Sequence, residues 1–210
     1  HSDIDNVKEA LDKLLGKVYY VNPSCSLSAS PAGGTFEIGT VIEGVDFTWS
    51  VNKEIVSQTL TDCTIELADR SASYENNISS NKSFTLRVSD GTNAATSSVS
   101  YSFQPKVYYG AAEVPASYDG EFCMGLSSSA LKSSKAGTYA LNIGVDKYGF
   151  IAMPKSFANV DVLVAKVGGF DTEIPKVATI SLTNAKGHTQ DYNIFKTTNS
   201  NLGSISAVVS

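Results

Sequence analysis

The sequence has few of the residues that usually carry catalysis, metal binding or contact with nucleic acid. Only two of the 210 residues are histidine and three are cysteine, and charged residues make up 18%, with a net charge of −5 at pH 7. Because this charge offers no basic field for phosphate groups, we expect no nucleic-acid partner. No apolar run reaches about 18 residues, so we expect no membrane-spanning helix. His1 and Ser2 resemble the scar of an expression vector, so we expect the natural chain to begin upstream.

The three cysteines do not form a recognisable metal-binding or disulfide pattern. Cys25, Cys63 and Cys123 have no C-x-x-C spacing, which argues against a structural zinc site. A Cys25–Cys63 bridge stays open, and Cys123 would then behave as a small buried hydrophobic residue. Such a set is typical of a protein made in a reducing cytosol.

The remaining candidates for chemistry are isolated polar residues. His188 has Asp191 nearby, but no Gly-x-Ser-x-Gly segment offers a nucleophile beside them. Glu113, Asp119 and Glu121 could supply oxygen ligands to calcium, yet their spacing fits no EF-hand loop. We therefore predict no catalytic residue, no bound metal and no cofactor.

The N-terminal segment has the pattern of a short coiled-coil helix. Four apolar residues recur at the 3-4-3 spacing of a heptad repeat: Ile4, Val7, Leu11 and Leu14. The pattern predicts a helix over residues 4–15 that ends at Gly16. Because two heptads are too few for a stable isolated helix, we expect these four residues to pack against other copies of the chain.

After Gly16 the sequence reads as strands and turns in two modules. The tetrapeptide Lys-Val-Tyr-Tyr occurs at residues 17–20 and again at 106–109, each time at the start of about a hundred residues, the usual size of a domain. Pro105 breaks the strand pattern ahead of the second copy. The sequence therefore predicts a helical segment at 1–17, a first module at 18–105 and a second module at 106–210.

The first module has the strand spacing of a β-sandwich. Period-two alternation predicts strands that include residues 24–28, 45–51, 63–67, 83–88 and 99–103. The second of these places Val45, Phe47, Trp49 and Val51 on one face, and Asp90-Gly91 predicts a hairpin turn. Seven or so short strands around a single buried tryptophan favour an immunoglobulin-like sandwich.

The second module also has alternating or apolar strand segments, which predict a second β-sandwich. The predicted strands are residues 139–143, 148–152, 160–164, 178–182, 191–196 and 204–209. Turns are predicted at residues 119–120, 168–169 and 184–187 from their Gly, Asn and Asp content.

Tyrosines of this module are the best candidates for contact with a ligand. Tyrosine stacks on sugar rings, donates a hydrogen bond and loses little conformational entropy on binding. The candidates are Tyr108, Tyr109, Tyr118, Tyr148 and Tyr192. The alternative is that most of them pack on the faces of strands.

Several segments resemble the C-terminal region of bacteriophage fibre and tail-appendage proteins. They are LDKLL at 11–15, FTWSVNK at 47–53, FTLRVSDG at 84–91, VGGF at 167–170 and NAKGHTQDYNIF at 184–195. The resemblance implies a homotrimeric virion component, made in the bacterial cytoplasm, with a coiled coil, an immunoglobulin-like spacer and a tip domain. It also implies contacts with other virion proteins and with a glycan or protein receptor on the bacterial surface.

The leading hypothesis is therefore a non-enzymatic phage fibre or decoration protein that attaches to the host. The first alternative is a bacterial cell-surface protein whose last module binds carbohydrate on a monomeric stalk. Further alternatives are a purely structural role and a glycan-cleaving enzyme. The sequence argues against the enzyme, because no pair of carboxylates on a groove can be picked out.

Overall fold

The computed structural model describes residues 2–15 and 20–210, with side chains described from residue 6 onward. It is mainly β, with a short N-terminal helix, which confirms the expected class. The described residues form two helices, α1 (Ser2–Leu14) and α2 (Gly120–Met124). The first seven strands are β1 (Cys25–Ser30), β2 (Gly34–Glu37), β3 (Ile42–Val51), β4 (Ser57–Leu60), β5 (Ser71–Ile78), β6 (Lys82–Ser89) and β7 (Ala94–Gln104). The other eight are β8 (Lys106–Ala112), β9 (Ser128–Leu131), β10 (Gly137–Ile143), β11 (Tyr148–Pro154), β12 (Val162–Val167), β13 (Phe170–Thr183), β14 (Thr189–Lys196) and β15 (Gly203–Val209).

The chain divides into two compact units. The first unit comprises His1–Ala32, Val45–Tyr74 and Ser83–Val99, and the second comprises Gly33–Gly44, Glu75–Lys82 and Ser100–Ser210. Helix α1 confirms the predicted short N-terminal helix. The predicted end at Gly16 and the first three residues of the tetrapeptide at 17–20 lie outside the described residues.

Strands β1–β7 form two sheets, with strand orders β1-β3-β5 and β2-β7-β6-β4. In the first unit, the alternation of β3 buries Val45, Phe47 and Trp49, as predicted, and leaves the polar residues between them exposed. The Phe47 ring lies 4.8 Å from the ring of Phe84 on β6, between centroids. Burial of such aromatic side chains removes a large apolar area from water and forms the core of this unit.

The predicted β6–β7 turn is built around Asp90. Its carboxylate accepts hydrogen bonds from the backbone N–H of Asn93 (2.9 Å), the Lys53 ammonium (2.7 Å) and the Tyr20 hydroxyl (2.8 Å). These donors, the Asn93 N–H first among them, hold the pKa of Asp90 well below its usual range, because they stabilise the charged form. Asp90 therefore holds Tyr20 and Lys53 to the turn.

The predicted strand at residues 63–67 is wrong. Residues 61–62 and 67–68 form turns separated by irregular backbone, and Cys63 forms an isolated bridge with Leu60 instead of a strand. The side-chain N–H₂ group of Gln58 explains this conformation, because it donates to the carbonyl oxygens of Glu66 (2.6 Å) and Asp69 (3.0 Å). A side chain thus replaces the partner strand that alternation alone would require.

The second unit contains an eight-stranded sheet of order β10-β15-β12-β13-β14-β11-β8-β9. Strand β13 has 14 residues, pairs with β12 up to Pro175 and with β14 from Lys176, and has a bulge between Lys176 and Ala178. Bulges bend the strand that carries them. Strand β10 also packs against β8, so the sheet turns back on itself and encloses an inner core that includes Tyr139, Ile151 and Phe195.

Helix α2 and its flanking residues cover the opposite face of β8, β11 and β14. Cys123 and Leu126 are buried there with Phe150 and Ile194, and this cluster is the outer core. The turn predicted at residues 119–120 is instead the beginning of this helix. Asp119 is its N-cap and accepts the backbone N–H of Phe122 at 2.8 Å, which satisfies a group that the helix itself cannot pair.

The connections of the second unit lie at two ends. The loops at residues 144–147 and 197–202 lie together at one end, because Ile143 is paired with Gly203 and the Asp146 N–H donates to Asn201 Oδ1 at 2.7 Å. We call this the open end. At the other end the predicted turn at residues 184–187 is confirmed, and Asn184 Nδ2 donates to the carbonyl oxygen of Ile38 at 2.7 Å.

Candidate functional site

A cavity of about 360 Å³ lies at the open end of the second unit. It is bounded by the β12–β13 hairpin on one side and by the β14–β15 connection on the other. The lining residues of this open-end cavity are Val167, Thr172, Glu173, Ile174, Thr197, Thr198, Asn199, Leu202 and Ile205. Its volume is near the lower end of the range for small-molecule sites, about 300–1,000 Å³.

One side of the open-end cavity is apolar. Ile174 is buried in the inner core, and Val167 and Ile205 pack against that core. Leu202 completes this side and is 41% exposed. The cavity therefore lies where the inner core reaches the protein surface. Part of its apolar lining is not covered by any of the described residues.

The opposite side consists of hydroxyl and amide groups. Thr197 is buried, and its hydroxyl accepts from the Gly149 N–H (3.0 Å) and donates to the Asn199 carbonyl (2.9 Å). Thr198 and Asn199 are exposed, and no hydrogen bond within the described part of the chain engages their side chains. Thr197 thus holds the wall in place, while Thr198 and Asn199 can donate to and accept from a ligand.

The β14–β15 connection is held in one conformation. Asn201 has a φ of 59°, a backbone region that asparagine tolerates better than most residues. Its N–H donates to the Lys147 carbonyl (3.3 Å), in addition to the bond between its side chain and the Asp146 N–H. The wall of the open-end cavity is therefore largely arranged before any ligand arrives.

The charge of the site is small and negative. Among the described residues that line the open-end cavity, Glu173 is the one charged side chain. The nearby Lys166 on the β12–β13 hairpin is paired with Asp171 at 2.8 Å. The lining therefore offers no cation to an anionic ligand.

The β12–β13 hairpin carries an exposed aromatic ring beside the cavity. The predicted turn at Gly168-Gly169 is confirmed, and both glycines have positive φ values of 59° and 90°. A side chain at either position would be strained. Phe170, which follows them, is 79% exposed and is available for contact with a partner.

Two of the five predicted ligand-binding tyrosines are buried in the outer core. Tyr108 is 5% exposed and Tyr192 is 2% exposed, with 6.0 Å between their ring centroids. Burial raises the pKa of Tyr108 to about 12 and raises that of Tyr192 further, because it disfavours the phenolate. The Tyr192 hydroxyl donates to the Lys106 carbonyl at 2.8 Å. In this arrangement neither ring presents a face to a ligand in solution.

The other three predicted tyrosines are half-buried and lie in different places. Tyr109 packs edge-on against Tyr139 (5.2 Å) on the inner core, whereas Tyr118 packs against Phe122 (5.7 Å) on the outer core. Tyr148 carries the Lys196 ammonium 3.9 Å from its ring centroid. None of the five lines the open-end cavity, and the structure does not bring them together into one surface.

The exposed face of α1 carries three of the four predicted oligomerisation residues. Val7, Leu11 and Leu14 are 57%, 50% and 88% exposed. The side chain of Ile4 lies outside the described residues. The three residues therefore form an apolar row on the exposed face of the helix.

The polar residues considered for chemistry are dispersed. The His188 backbone N–H donates to Asn184 Oδ1 within the turn, while the Asp191 carboxylate lies 4.0 Å from the Lys155 ammonium. Asp119 is the cap of α2. Over residues 2–15 and 20–210, no group of three or more His, Cys, Asp or Glu side chains is placed to hold a metal ion.

The cysteines are free thiols in the structure. Cys123 is fully buried, as predicted, and burial raises its pKa to about 12. A thiol that stays protonated is a poor nucleophile.

Comparison with known proteins gives no relative for the chain. No family model, no curated protein and no solved structure matches it. Within the described ranges, no helix is both long enough and apolar enough to cross a membrane.

Sequence reasoning missed the residues of the open-end cavity. The sequence predicts residues 197–202 only as a polar connection between two strands. Val167 is noted only in the segment VGGF, and Ile174 lies outside every predicted strand. The available signal was a run of hydroxyl and amide residues, Thr197 to Ser200, ahead of Leu202 in a predicted loop. That signal is weak, because polar loops are the rule at protein surfaces.

Proposed function

We propose that this chain is a non-enzymatic attachment protein of a bacteriophage virion, which presents the open end of its second unit to the bacterial surface. The observation that carries the proposal is the open-end cavity, a prearranged site beside the exposed Phe170. Loops held on a rigid β scaffold are a common place for binding residues. The alternating strands around the cavity supply that scaffold.

The composition of the cavity favours binding over catalysis. Hydrolysis of a glycosidic bond usually needs two carboxyl groups on either side of the bond. Glu173 is the one acidic residue among those described as lining the cavity, and neither histidine nor cysteine lines it. Thr198 and Asn199 hold neutral ligands but do not transfer protons readily near neutral pH.

In this proposal the chain is a homotrimer joined through α1. Residues 1–17 form the coiled-coil segment, 18–105 an immunoglobulin-like sandwich and 106–210 the tip domain. The exposed row of Val7, Leu11 and Leu14 supports the assembly, because helices with this spacing bury such residues against one another. Three linked sites raise the avidity for a surface well above the affinity of one site.

Light scattering and cell binding test the proposal together. We expect a mass of three 22.2 kDa chains, and we expect the fluorescently labelled protein to bind some members of a panel of bacteria in flow cytometry. Leu11→Glu should give a monomer and weaken cell binding by roughly 10²-fold, through lost avidity. Asn6→Glu adds the same charge to an exposed position of α1 outside the row and should leave mass and binding unchanged.

The proposal fails if the wild-type protein stays monomeric over the whole concentration range and binds none of the bacteria. A monomer that binds cells would instead favour the alternative of a bacterial cell-surface protein on a monomeric stalk.

A further inference from the structure

We propose that the open-end cavity binds a single neutral sugar unit that carries a methyl group, as in a 6-deoxy sugar or an N-acetyl sugar. The inference rests on the proposed attachment function, because it names the chemical class that the attachment site recognises.

The apolar side of the cavity supplies the first argument. Val167 and Ile205 are partly exposed above the buried Ile174 of the inner core, and Leu202 extends this apolar surface to the rim. A hydroxyl group placed against this surface would lose its hydrogen bonds to water without replacement. A methyl group placed there has no hydrogen bonds to water to lose, and it would bury apolar area. We expect this difference to favour the methylated sugar by roughly three- to tenfold in Kd.

The polar side supplies the second argument. The Thr198 hydroxyl and the Asn199 amide together offer donors and acceptors, which neighbouring ring hydroxyls of a sugar require. Thr197 is already committed to Gly149 and Asn199, so it positions this side without competing for the ligand. A ligand that is methyl-bearing on one side and hydroxylated on the other matches both walls.

Charge and size supply the third argument. The described lining carries Glu173 and no cationic side chain, so a uronic acid, a sialic acid or a phosphorylated sugar would meet repulsion and find no partner. A volume of about 360 Å³ accommodates one sugar unit rather than an extended chain. The site therefore selects a neutral terminal sugar.

Matched pairs of free sugars test the inference in solution. Backbone ¹⁵N–¹H NMR spectra of the full chain would be recorded while L-fucose or its parent L-galactose is added, and likewise N-acetylglucosamine or glucose. We expect L-fucose or N-acetylglucosamine to shift the amide signals of Thr198, Asn199 and Leu202, with a Kd roughly three- to tenfold below that of the parent sugar. Glucuronic acid should not shift these signals.

Two variants of similar exposure locate the contact. Leu202→Asn removes the apolar rim and should abolish the preference for the methylated sugar. Val208→Asn makes the same kind of change at a residue that is 45% exposed, against 41% for Leu202, and that does not line the cavity. This second variant should bind like the wild type, and circular dichroism would verify that both variants are folded.

Equal affinity for both members of each pair, or shifts confined to residues outside the cavity, would overturn the inference. An equal preference for the methylated sugar in the Leu202→Asn and Val208→Asn proteins would also overturn it. If the labelled chain still binds bacteria in those cases, the attachment function stands and only the ligand class is wrong. If neither sugars nor bacteria bind, both proposals fall.

Discussion

Gly149 is the residue on which the wall of the open-end cavity depends most directly. A Cβ atom at this position would lie 2.8 Å from Cδ1 of both Leu141 and Ile143, and 3.1 Å from Cγ2 of Thr197. The backbone of Gly149 also exchanges hydrogen bonds with Thr197. Glycine is therefore required here for space inside a close-packed core.

Gly149→Ala should lower the free energy of unfolding by about 1–3 kcal/mol, because overpacking forces buried side chains from their rotamers. Urea denaturation followed by circular dichroism and by the fluorescence of the tyrosines, most of which lie in the second unit, would measure it. Gly144→Ala is the matched control, since an added Cβ there meets no atom within 4 Å. Equal stability of the two variants would show that the core around Leu141 and Ile143 adapts freely.

Among elements, the turns at residues 61–70 show how one side chain can set the conformation of a segment. Gln58 is buried on β4, accepts the indole N–H of Trp49 at 3.0 Å, and donates to the carbonyl groups of the turns. The segment thus obtains its hydrogen bonds from Gln58 instead of from a neighbouring strand. Removal of Gln58 would leave the buried indole N–H of Trp49, and the part-buried bonds to Glu66 and Asp69, without this partner.

Gln58→Ala should destabilise the first unit by about 2–4 kcal/mol, since each buried group left unpaired costs about 1–3 kcal/mol and water replaces part of the loss. Thermal unfolding monitored through Trp49 fluorescence would measure this. Thr59→Ala, at the adjacent exposed position of β4, should change stability by less than about 0.5 kcal/mol. A Gln58→Ala protein as stable as Thr59→Ala would mean that the turns do not depend on this amide.

Alternation predicted strands correctly where the segment is paired with a strand on each side in its sheet. Residues 45–51 and 83–88 lie within β3 and β6, and the predicted inward residues Val45, Phe47 and Trp49 are buried. Alternation failed at residues 63–67, because period two describes which side chains could share a face and not whether a partner strand is present. Helix α2 was missed because five residues are too few for a 3.6-residue period to be seen.

For the molecule as a whole, buried tyrosines couple the stability of the second unit to alkaline pH. Burial raises the pKa of both Tyr108 and Tyr139 to about 12, from an ordinary value near 10. Between pH 10 and pH 12 the folded state therefore keeps these phenol protons, whereas the unfolded chain has lost them. The stability contributed by the protonated form is complete below pH 10 or so and is lost as pH rises from about 10 to about 12.

We expect a titration followed by tyrosinate absorbance to show a group of tyrosines that ionise only as the protein unfolds. Denaturant midpoints should fall steeply over the same pH interval. Tyr139→Phe removes one of the groups and should make that fall shallower, although it also loses the hydrogen bond from the Tyr139 hydroxyl to the Lys135 carbonyl. Ionisation of all the tyrosines near pH 10, with the native circular dichroism intact, would contradict this expectation.

The sequence by itself determined the local features of this protein. The 3-4-3 spacing determined that α1 is a helix with an apolar row, and alternation determined most strands and their inward faces. Glycine and asparagine content determined the turns at residues 168–169 and 184–187. Each of these depends on residues that are neighbours along the chain, whose backbone preferences act locally.

Only the tertiary structure decided which residues meet. Packing against α2 and its flanking residues buries Tyr108 and Tyr192 in the outer core, whereas Phe170 stays exposed on the β12–β13 hairpin. The fold also brings Val167 and Ile174 to one side of a cavity whose other side is Thr198 and Asn199. These residues lie far apart along the chain, and pairing between distant strands places them together. No local pattern encodes that pairing, which is why the candidate site emerged from the fold and not from the sequence.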